Sequence, residues 1–99
     1  MRFMLIVHMP TQAGNDLLRG GIKPIEDLLA AVKPEAAYFG EHYGERTFFL
    51  VVDLPSADAI PRVSEPLFNM GARVEFHIAM VIDDLKKAFQ NKPQISAPI

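Results

Sequence analysis

Apolar and polar residues follow a strand-like pattern in four segments of the chain. Residues 2–9 form an almost continuous apolar run, which is typical of a central strand covered on both faces. Residues 35–40 and 46–53 are β-prone and have Gly44 between them, which predicts a hairpin. Residues 73–82 begin with polar and apolar positions in alternation and then become fully apolar, which predicts a fourth strand with one partly polar face.

Helical spacing is found between these strands. Apolar residues recur every three or four positions from Ile22 to Val32, Pro24 suits the first turn, and Pro34 ends the pattern. These features predict the first helix. The preceding segment, residues 11–21, holds several glycines and is predicted to be a loop with at most a short, broken helical turn.

A second helix is predicted between the third and fourth strands, with Asp58 favoured over Ser56 as its N-cap. Pro66 lacks a backbone donor, so this helix is expected to be short or kinked there. A short terminal helix is predicted to follow the fourth strand and to end at Phe89, after which the periodicity is lost.

The order of the main elements is βαββαβ, which predicts an α+β fold of the ferredoxin-like type. Right-handed crossovers place the four strands in one antiparallel sheet of order 4-1-3-2, with the helices on one face. We predict a single domain over residues 1–90, followed by an irregular C-terminal tail over residues 91–99.

The sheet face that the helices leave uncovered is also predicted to be apolar. Met4 and Ile6 point to one side of the first strand, and Phe49 and Val51 point to one side of the third. A monomer would expose a patch larger than the few hundred Å² that soluble monomers tolerate. We therefore expect a homodimer whose two sheets pack face to face around a twofold axis, a dimeric α/β barrel.

Composition excludes several classes of protein. The 99 residues are 49% hydrophobic and 22% charged, which indicates one globular domain rather than a disordered chain. The net charge of −2 gives no basic surface for nucleic acid, so no nucleic-acid partner is expected. The absence of cysteine excludes disulfides and thiolate catalysis. No apolar run is long enough to cross a membrane, so we expect no membrane partner and a cytoplasmic location.

Several segments carry a resemblance to known proteins. Residues 33–40 (KPEAAYFG), 46–53 (RTFFLVVD), 60–68 (IPRVSEPLF) and 72–89 (ARVEFHIAMVIDDLKKAF) resemble a small bacterial family of unassigned function within the dimeric α/β-barrel superfamily. The run SEPLF followed by VEFHIAMV is also similar to the corresponding end of the muconolactone isomerase family, which shifts a proton on a small lactone.

The resemblance, which covers the chain to about Phe89, implies a pocket between the sheet and the helices of each protomer. The superfamily includes heme-degrading and quinone-forming monooxygenases, isomerases and dehydratases, so the fold by itself assigns no reaction. No established catalytic motif of the close family is carried over to this chain.

His8, Glu75 and His77 are the candidate catalytic residues. With the first and fourth strands as antiparallel neighbours, His8 is predicted to lie about opposite Glu75 and Ile6 opposite His77, with Arg73 at the same end. Imidazole and carboxylate groups exchange protons near neutral pH, so this cluster is able to move a proton. The alternatives are a structural polar network that fixes register and oligomeric state, and a metal site of two histidines and a glutamate. No metal is predicted.

Tyr38, Arg46 and Phe49 are the candidate ligand-binding residues. Arg46 suits the carboxylate of an aromatic or lactone acid, or else pairs with Glu41 or Glu45. Phe49, with the other phenylalanine and methionine residues, lines an apolar cavity or belongs to the core. His42 and Tyr43, in the hairpin loop over residues 40–44, are either exposed turn residues or side chains aimed across a pocket mouth.

Two functions of different class remain open from the sequence. The first is a dimeric small-molecule-binding protein, an isomerase or a cofactor-free monooxygenase that acts by proton transfer on a small apolar or aromatic-derived acid. The second is a non-catalytic dimeric interaction or regulatory module. No cofactor is predicted, because Gly14, Gly20 and Gly21 match no phosphate-binding or dinucleotide motif. A pocket of a few hundred Å³ beside the histidines would favour the first function.

Overall fold

Four antiparallel strands form one sheet in a computed structural model that describes residues 1–90. They are β1 (Arg2–Met9), β2 (Ala36–His42), β3 (Glu45–Asp53) and β4 (Arg73–Ile78). The sheet order is β2-β3-β1-β4, which is β4-β1-β3-β2 when it is read from the other edge. All neighbours are antiparallel, so the predicted α+β class with a four-stranded antiparallel sheet is confirmed.

Residues 1–90 also form four helices. These are α1 (Thr11–Leu18), α2 (Lys23–Val32), α3 (Ile60–Asn69), which a 3-10 turn (Ala57–Ala59) precedes, and α4 (Ile82–Gln90). The predicted tail over residues 91–99 lies outside the described residues.

The core lies between the sheet and the helices. Leu5 and Val7 of β1 and Leu50 of β3 are fully buried on one face, and they form one cluster with Leu28 of α2 and Leu67 of α3. Because side chains alternate along a strand, these residues share a face that the helices cover.

The other side of the sheet is named the open face here. Its centre is apolar: Ile6, Phe49 and Val51 are half-buried, whereas Met4 and Tyr38 are 44% and 69% exposed. Polar residues of β1, β3 and β4 lie around this centre, at the end where β1 finishes and along the β4 edge.

The prediction of a loop over residues 11–21 is wrong in its first part, where the chain forms helix α1. Gly14 is buried in this helix, and a Cβ atom there would lie 2.5 Å from Nη1 of Arg46 and 3.1 Å from Cγ of Met9. Glycine is therefore present because the helix approaches the sheet closely, and not because the helix breaks. The helix ends at Leu18, and its C-cap residue Arg19 precedes the Gly20–Gly21 pair.

The fourth strand is shorter than predicted, since it ends at Ile78 rather than residue 82. The amide of Ala79 donates to the carbonyl of Arg2, at the point where β1 begins. Beyond it β1 offers no further pairing partner, so the apolar residues that follow leave the sheet and enter α4.

Two smaller predictions also differ from the structure. Asp58 does not cap the second helix; it lies in the 3-10 turn and accepts a hydrogen bond from the hydroxyl of Ser56. The hairpin loop is tighter than residues 40–44, because β2 continues to His42. Tyr43 and Gly44 both have positive φ, 54° and 75°, as a two-residue type I′ turn requires.

Candidate functional site

The register of β1 and β4 places the predicted cluster on the open face. Ile6 lies opposite Glu75, Met4 opposite His77 and His8 opposite Arg73. The predicted register, with His8 opposite Glu75, is therefore two residues off. A shift of two keeps every side chain on the same face, because the period of a strand is two residues.

His8, Glu75 and His77 form a contiguous cluster. Nε2 of His8 lies 2.6 Å from Oε2 of Glu75, and Nε2 of His77 lies 3.4 Å from Oε1 of the same carboxylate. An ionised carboxylate only accepts hydrogen bonds, so each imidazole donates through Nε2. Glu75 thus contacts two imidazoles that differ in solvent exposure: His8 is almost buried, whereas His77 is 55% exposed.

The two imidazoles also affect the ionisation of the carboxylate between them. The hydrogen bond from His8, followed by that from His77, lowers the pKa of Glu75 below its ordinary value of 4.5. Glu75 is therefore ionised at neutral pH and able to stabilise positive charge on either imidazole.

Nδ1 of His8 is the one buried side-chain nitrogen or oxygen atom of residues 1–90 that has no hydrogen-bond partner. A buried polar atom without a partner is costly, and native folds rarely retain one without a reason. Glu75 therefore holds the His8 ring through Nε2, while Nδ1 makes no hydrogen bond within residues 1–90.

A cleft of about 550 Å³ opens beside His8 and Glu75, at the end of the sheet where β1 finishes, and His77 is not among the residues that line it. The hairpin brings two aromatic side chains to it: the ring centroids of His8 and His42 are 5.6 Å apart, and those of His42 and Tyr43 are 4.2 Å apart. The residues that line the cleft are His8, His42, Tyr43, Glu45, Arg73, Val74 and Glu75.

Arg73 is the one arginine or lysine of residues 1–90 that lines the cleft, and the carboxylates of Glu45 and Glu75 line it as well. It forms an ion pair with Glu45 across the sheet, and its side chain is 66% exposed. The sequence placed Arg73 at this end of the sheet but gave it no role, and it proposed Glu45 as a partner of Arg46 instead. The signal that identifies Arg73 is its position opposite His8 in the register.

Arg46 lies on the opposite side of the sheet from the cluster. It is paired with Met9, one residue beyond His8, and alternation turns it towards the helices. Its guanidinium donates to the carbonyl of Thr11 and to Oδ1 of Asn15, which are both in α1. The structure therefore does not bring Arg46 together with His8, and a role of Arg46 in ligand binding stays a prediction.

Tyr38 and Phe49 are direct neighbours on the open face, and Phe49 is in turn opposite Ile6. Ile6 is in turn opposite Glu75 of β4, so this row of cross-strand neighbours ends at Glu75. These two predicted ligand residues thus belong to the apolar centre of the open face and do not line the cleft.

A second cavity, of about 370 Å³, lies on the helix side next to β2 and is named the apolar groove here. Arg46 and Glu26 are its charged residues. The remaining residues that line it are Leu18, Ile22, Ile25, Leu29, Phe39, Gly40 and Phe48.

Residues 1–90 contain no group of three His, Asp or Glu side chains placed to hold a metal ion. None of the helices in this part is both long and apolar enough to span a membrane.

Comparison with known proteins gives no relative from which a role for these residues could be taken. No protein-family model, no curated protein and no solved structure matches this chain.

Proposed function

We propose that this protein is a homodimeric small-molecule-binding protein that moves a proton on a small apolar or aromatic-derived acid at the cluster of His8, Glu75 and His77. The observation that carries the proposal is the Glu75 carboxylate, which contacts Nε2 of both histidines at the edge of a cleft of about 550 Å³. A cleft of this volume is within the range of small-molecule sites.

His8 is the imidazole that exchanges the proton with the ligand, because it lines the cleft and His77 does not. Its Nδ1 has no hydrogen-bond partner in the described part of the chain, and the ionised Glu75 carboxylate at its Nε2 stabilises the imidazolium that forms when the base takes a proton. His77 holds the other oxygen of Glu75 from the exposed side. Glu75 and His77 therefore position and polarise His8, in the way that a carboxylate orients a catalytic histidine in other enzymes.

An isomerisation is the simplest reaction for this site, because it needs only a group that takes up and returns a proton. His8 removes a proton from a carbon that is activated by a neighbouring carbonyl or double bond, the electron pair shifts along the conjugated system, and the imidazolium, which exchanges its proton with water, returns a proton to another carbon. Atoms and electrons balance without any co-reactant. A cofactor-free monooxygenase would begin with the same proton removal but would also consume molecular oxygen.

Arg73 selects an acidic ligand. Its guanidinium has the geometry to bind a carboxylate through two hydrogen bonds, and a ligand carboxylate would replace Glu45 as its partner. His42 and Tyr43 form the aromatic wall of the same cleft. Together they favour a small, planar, apolar acid.

The assembly that completes the site is a ferredoxin-like plait paired into a dimeric barrel. The apolar centre of the open face, with Met4 and Tyr38 exposed, needs a partner of the same character. A second copy supplies it, because a twofold axis sets identical patches against each other. The cleft then lies at the end of the barrel, where a partner sheet reduces its contact with water.

The alternative is a non-catalytic dimeric interaction or regulatory module with a structural polar cluster. A purely structural network would be enclosed and fully paired. The open cleft, the exposed imidazole of His77 and the unpartnered Nδ1 of His8 favour the proton-transfer function over this alternative.

The proposed function is tested with a panel of small aromatic and unsaturated acids. Backbone amide NMR spectra are recorded with each acid, and the same samples in D₂O are followed for exchange of carbon-bound hydrogen. At least one acid is expected to shift the amide signals of residues around the cleft and to gain deuterium. If binding shifts map only to the apolar groove, or if bound acids gain no deuterium, the proposed function is wrong.

A further inference from the structure

The turn between β2 and β3 carries a side chain that its backbone disfavours. The two turn residues are Tyr43 and Gly44, and both have positive φ, 54° and 75°. A type I′ turn of this kind normally has asparagine, aspartate or glycine in its first position, because other L-residues meet steric strain in the left-handed region. A bulky residue there is a conformational outlier. Tyr43 is therefore held at a cost in stability that asparagine or glycine would largely avoid.

Lys33 is the other non-glycine residue with positive φ in the part of the chain that the structure describes, and its conformation has an ordinary explanation. It is the C-cap of α2, and its amide donates to the carbonyl of Leu29. A left-handed residue commonly ends a helix in this way, because the conformation lets its amide satisfy one of the last carbonyls. No such requirement selects a tyrosine between β2 and β3, since the turn needs only the backbone conformation.

Contacts within the chain do not compensate for the strain at Tyr43. Its side chain is 90% exposed, so it contributes almost nothing to the core. Among the aromatic side chains of residues 1–90 it contacts only His42, at a centroid distance of 4.2 Å and an interplanar angle of 61°. A strained backbone that folding does not need is characteristic of functional sites. The reason for this tyrosine therefore lies in what the turn faces.

The turn faces the cleft. Tyr43 lines the cleft together with His8, the proposed base, and Arg73, the proposed partner of the ligand carboxylate. The His42 ring is close to both aromatic neighbours, 5.6 Å from the His8 ring and 4.2 Å from the Tyr43 ring. A ligand that contacts His8 and Arg73 therefore occupies the space that the Tyr43 ring borders, and most of the surface of this ring is free to pack on it.

We propose that Tyr43 is the specificity-determining residue of the cleft, and that its ring packs on the ligand and selects an acid with a flat, unsaturated ring over an acid with a puckered, saturated one. This inference rests on the proposed function for the position of the ligand, but not on proton transfer. It narrows the ligand class to acids whose carboxylate is attached to a planar ring, and it explains why the chain retains a strained residue in the turn.

A flat ring gains more from this contact than a puckered ring does. Two aromatic rings approach in offset-stacked or edge-to-face arrangements with centroids about 4.5–7 Å apart, and their quadrupoles attract each other beyond what burial supplies. A saturated ring of the same size has no π-system and is too thick for the same approach. His42 already contacts the Tyr43 ring, so a planar ligand extends an existing aromatic pair. The selectivity therefore belongs to the ring of Tyr43 and not to its hydroxyl group.

The proposal is tested with benzoate and cyclohexanecarboxylate, which share a six-carbon ring and a carboxylate but differ in planarity. Titration calorimetry measures the dissociation constants of both acids for the wild type, Tyr43→Asn and Tyr43→Phe. Tyr43→Asn removes the ring and suits the turn, whereas Tyr43→Phe keeps the ring. Lys33→Asn is the matched control, because it changes the other left-handed non-glycine residue, which does not line the cleft. Denaturant unfolding measures the stability of all four proteins.

The wild type, Tyr43→Phe and Lys33→Asn are expected to bind benzoate at least about fivefold more tightly than cyclohexanecarboxylate. Tyr43→Asn is expected to lose this preference and to lower the equilibrium constant for unfolding by about threefold or more. Equal wild-type affinities, no binding of either acid, or a preference that survives Tyr43→Asn would overturn the proposal. Unchanged stability of Tyr43→Asn would overturn it as well, since the turn would then not be strained. If bound acids gain no deuterium, the proton transfer is wrong and the role of Tyr43 stands.

Discussion

Nε2 of His8 and Oε2 of Glu75 are 2.6 Å apart although the two residues are not opposite each other in the sheet. Glu75 faces Ile6, so the contact runs diagonally between neighbouring strands. Diagonal neighbours are within reach of long side chains. The contact ties an almost buried imidazole to a half-exposed carboxylate, and it is the physical basis of the proposed proton-transfer site.

Substitution of Glu75 is expected to change how stability depends on pH. The folded-state pKa of Glu75 is lowered, so the native state binds fewer protons than the unfolded state in this range. The stabilisation is present above the ordinary pKa of 4.5 and is lost as pH falls through the lowered folded-state value. Urea unfolding between about pH 3 and pH 7 should show a smaller loss of stability in Glu75→Gln than in the wild type. If the free energy of unfolding falls with pH by the same amount in both proteins, the pairing of the Glu75 carboxylate with the two histidines is contradicted.

Gly71→Ala is expected to destabilise the fold more than Gly44→Ala. Both glycines have positive φ, 85° and 75°, so both substitutions strain the backbone. Only at Gly71 would the new Cβ lie 2.9 Å from Cβ of Ala13 in α1, whereas Gly44 has no neighbour within 4 Å. We expect an additional loss of about 1–3 kcal/mol in the free energy of unfolding, measured by denaturant titration. Equal losses would show that α1 does not pack against this turn.

Met4→Asp is expected to weaken dimerisation through the open face. A carboxylate at the apolar centre would be desolvated twice in a symmetric dimer, once from each copy. Phe68→Asp is the control, because Phe68 lies on α3 and not on the open face, and its exposure of 48% is close to the 44% of Met4. Sedimentation of both variants measures the effect, and a dimer that tolerates Met4→Asp as well as Phe68→Asp does not form through this face.

Arg73→Met is expected to weaken binding of an acidic ligand by at least about tenfold, because it removes the positive charge of the cleft. Arg46→Met is expected to leave that affinity unchanged, since Arg46 lies on the other side of the sheet. Titration calorimetry with an acid that binds the wild type compares the two variants. The reverse order of effects would place the ligand in the apolar groove.

The sequence predicts an element well where its apolar spacing and turn residues agree with the contacts that the element makes in the fold. The hairpin and helix α2 follow directly from turn residues and apolar spacing, and both are found close to the predicted bounds. The loop predicted over residues 11–21 fails because the reason for Gly14 is its close contact with Arg46 and Met9, which local spacing does not reveal. The fourth strand was predicted too long because its end depends on where β1 begins.

The candidate site was predictable in its composition but not in its full geometry. Alternation along β1 and β4 is sufficient to bring His8, Glu75 and His77 to one face, even with the register two residues off. The same rule turns Arg46 away from them, since it pairs with Met9. The approach of His42 to His8 depends on the tight turn between β2 and β3, from which the His42 ring reaches across β3 to the end of β1.

The proton-transfer function is tested most directly by the rate at which an acid that binds the cleft gains deuterium from D₂O. Glu75→Gln is compared with the wild type at saturating ligand, and Glu41→Gln is the control, because Glu41 is an exposed glutamate outside the cleft. We predict a fall of at least about a hundredfold for Glu75→Gln and no change for Glu41→Gln. A wild-type rate in Glu75→Gln would contradict a role for this carboxylate in moving the proton.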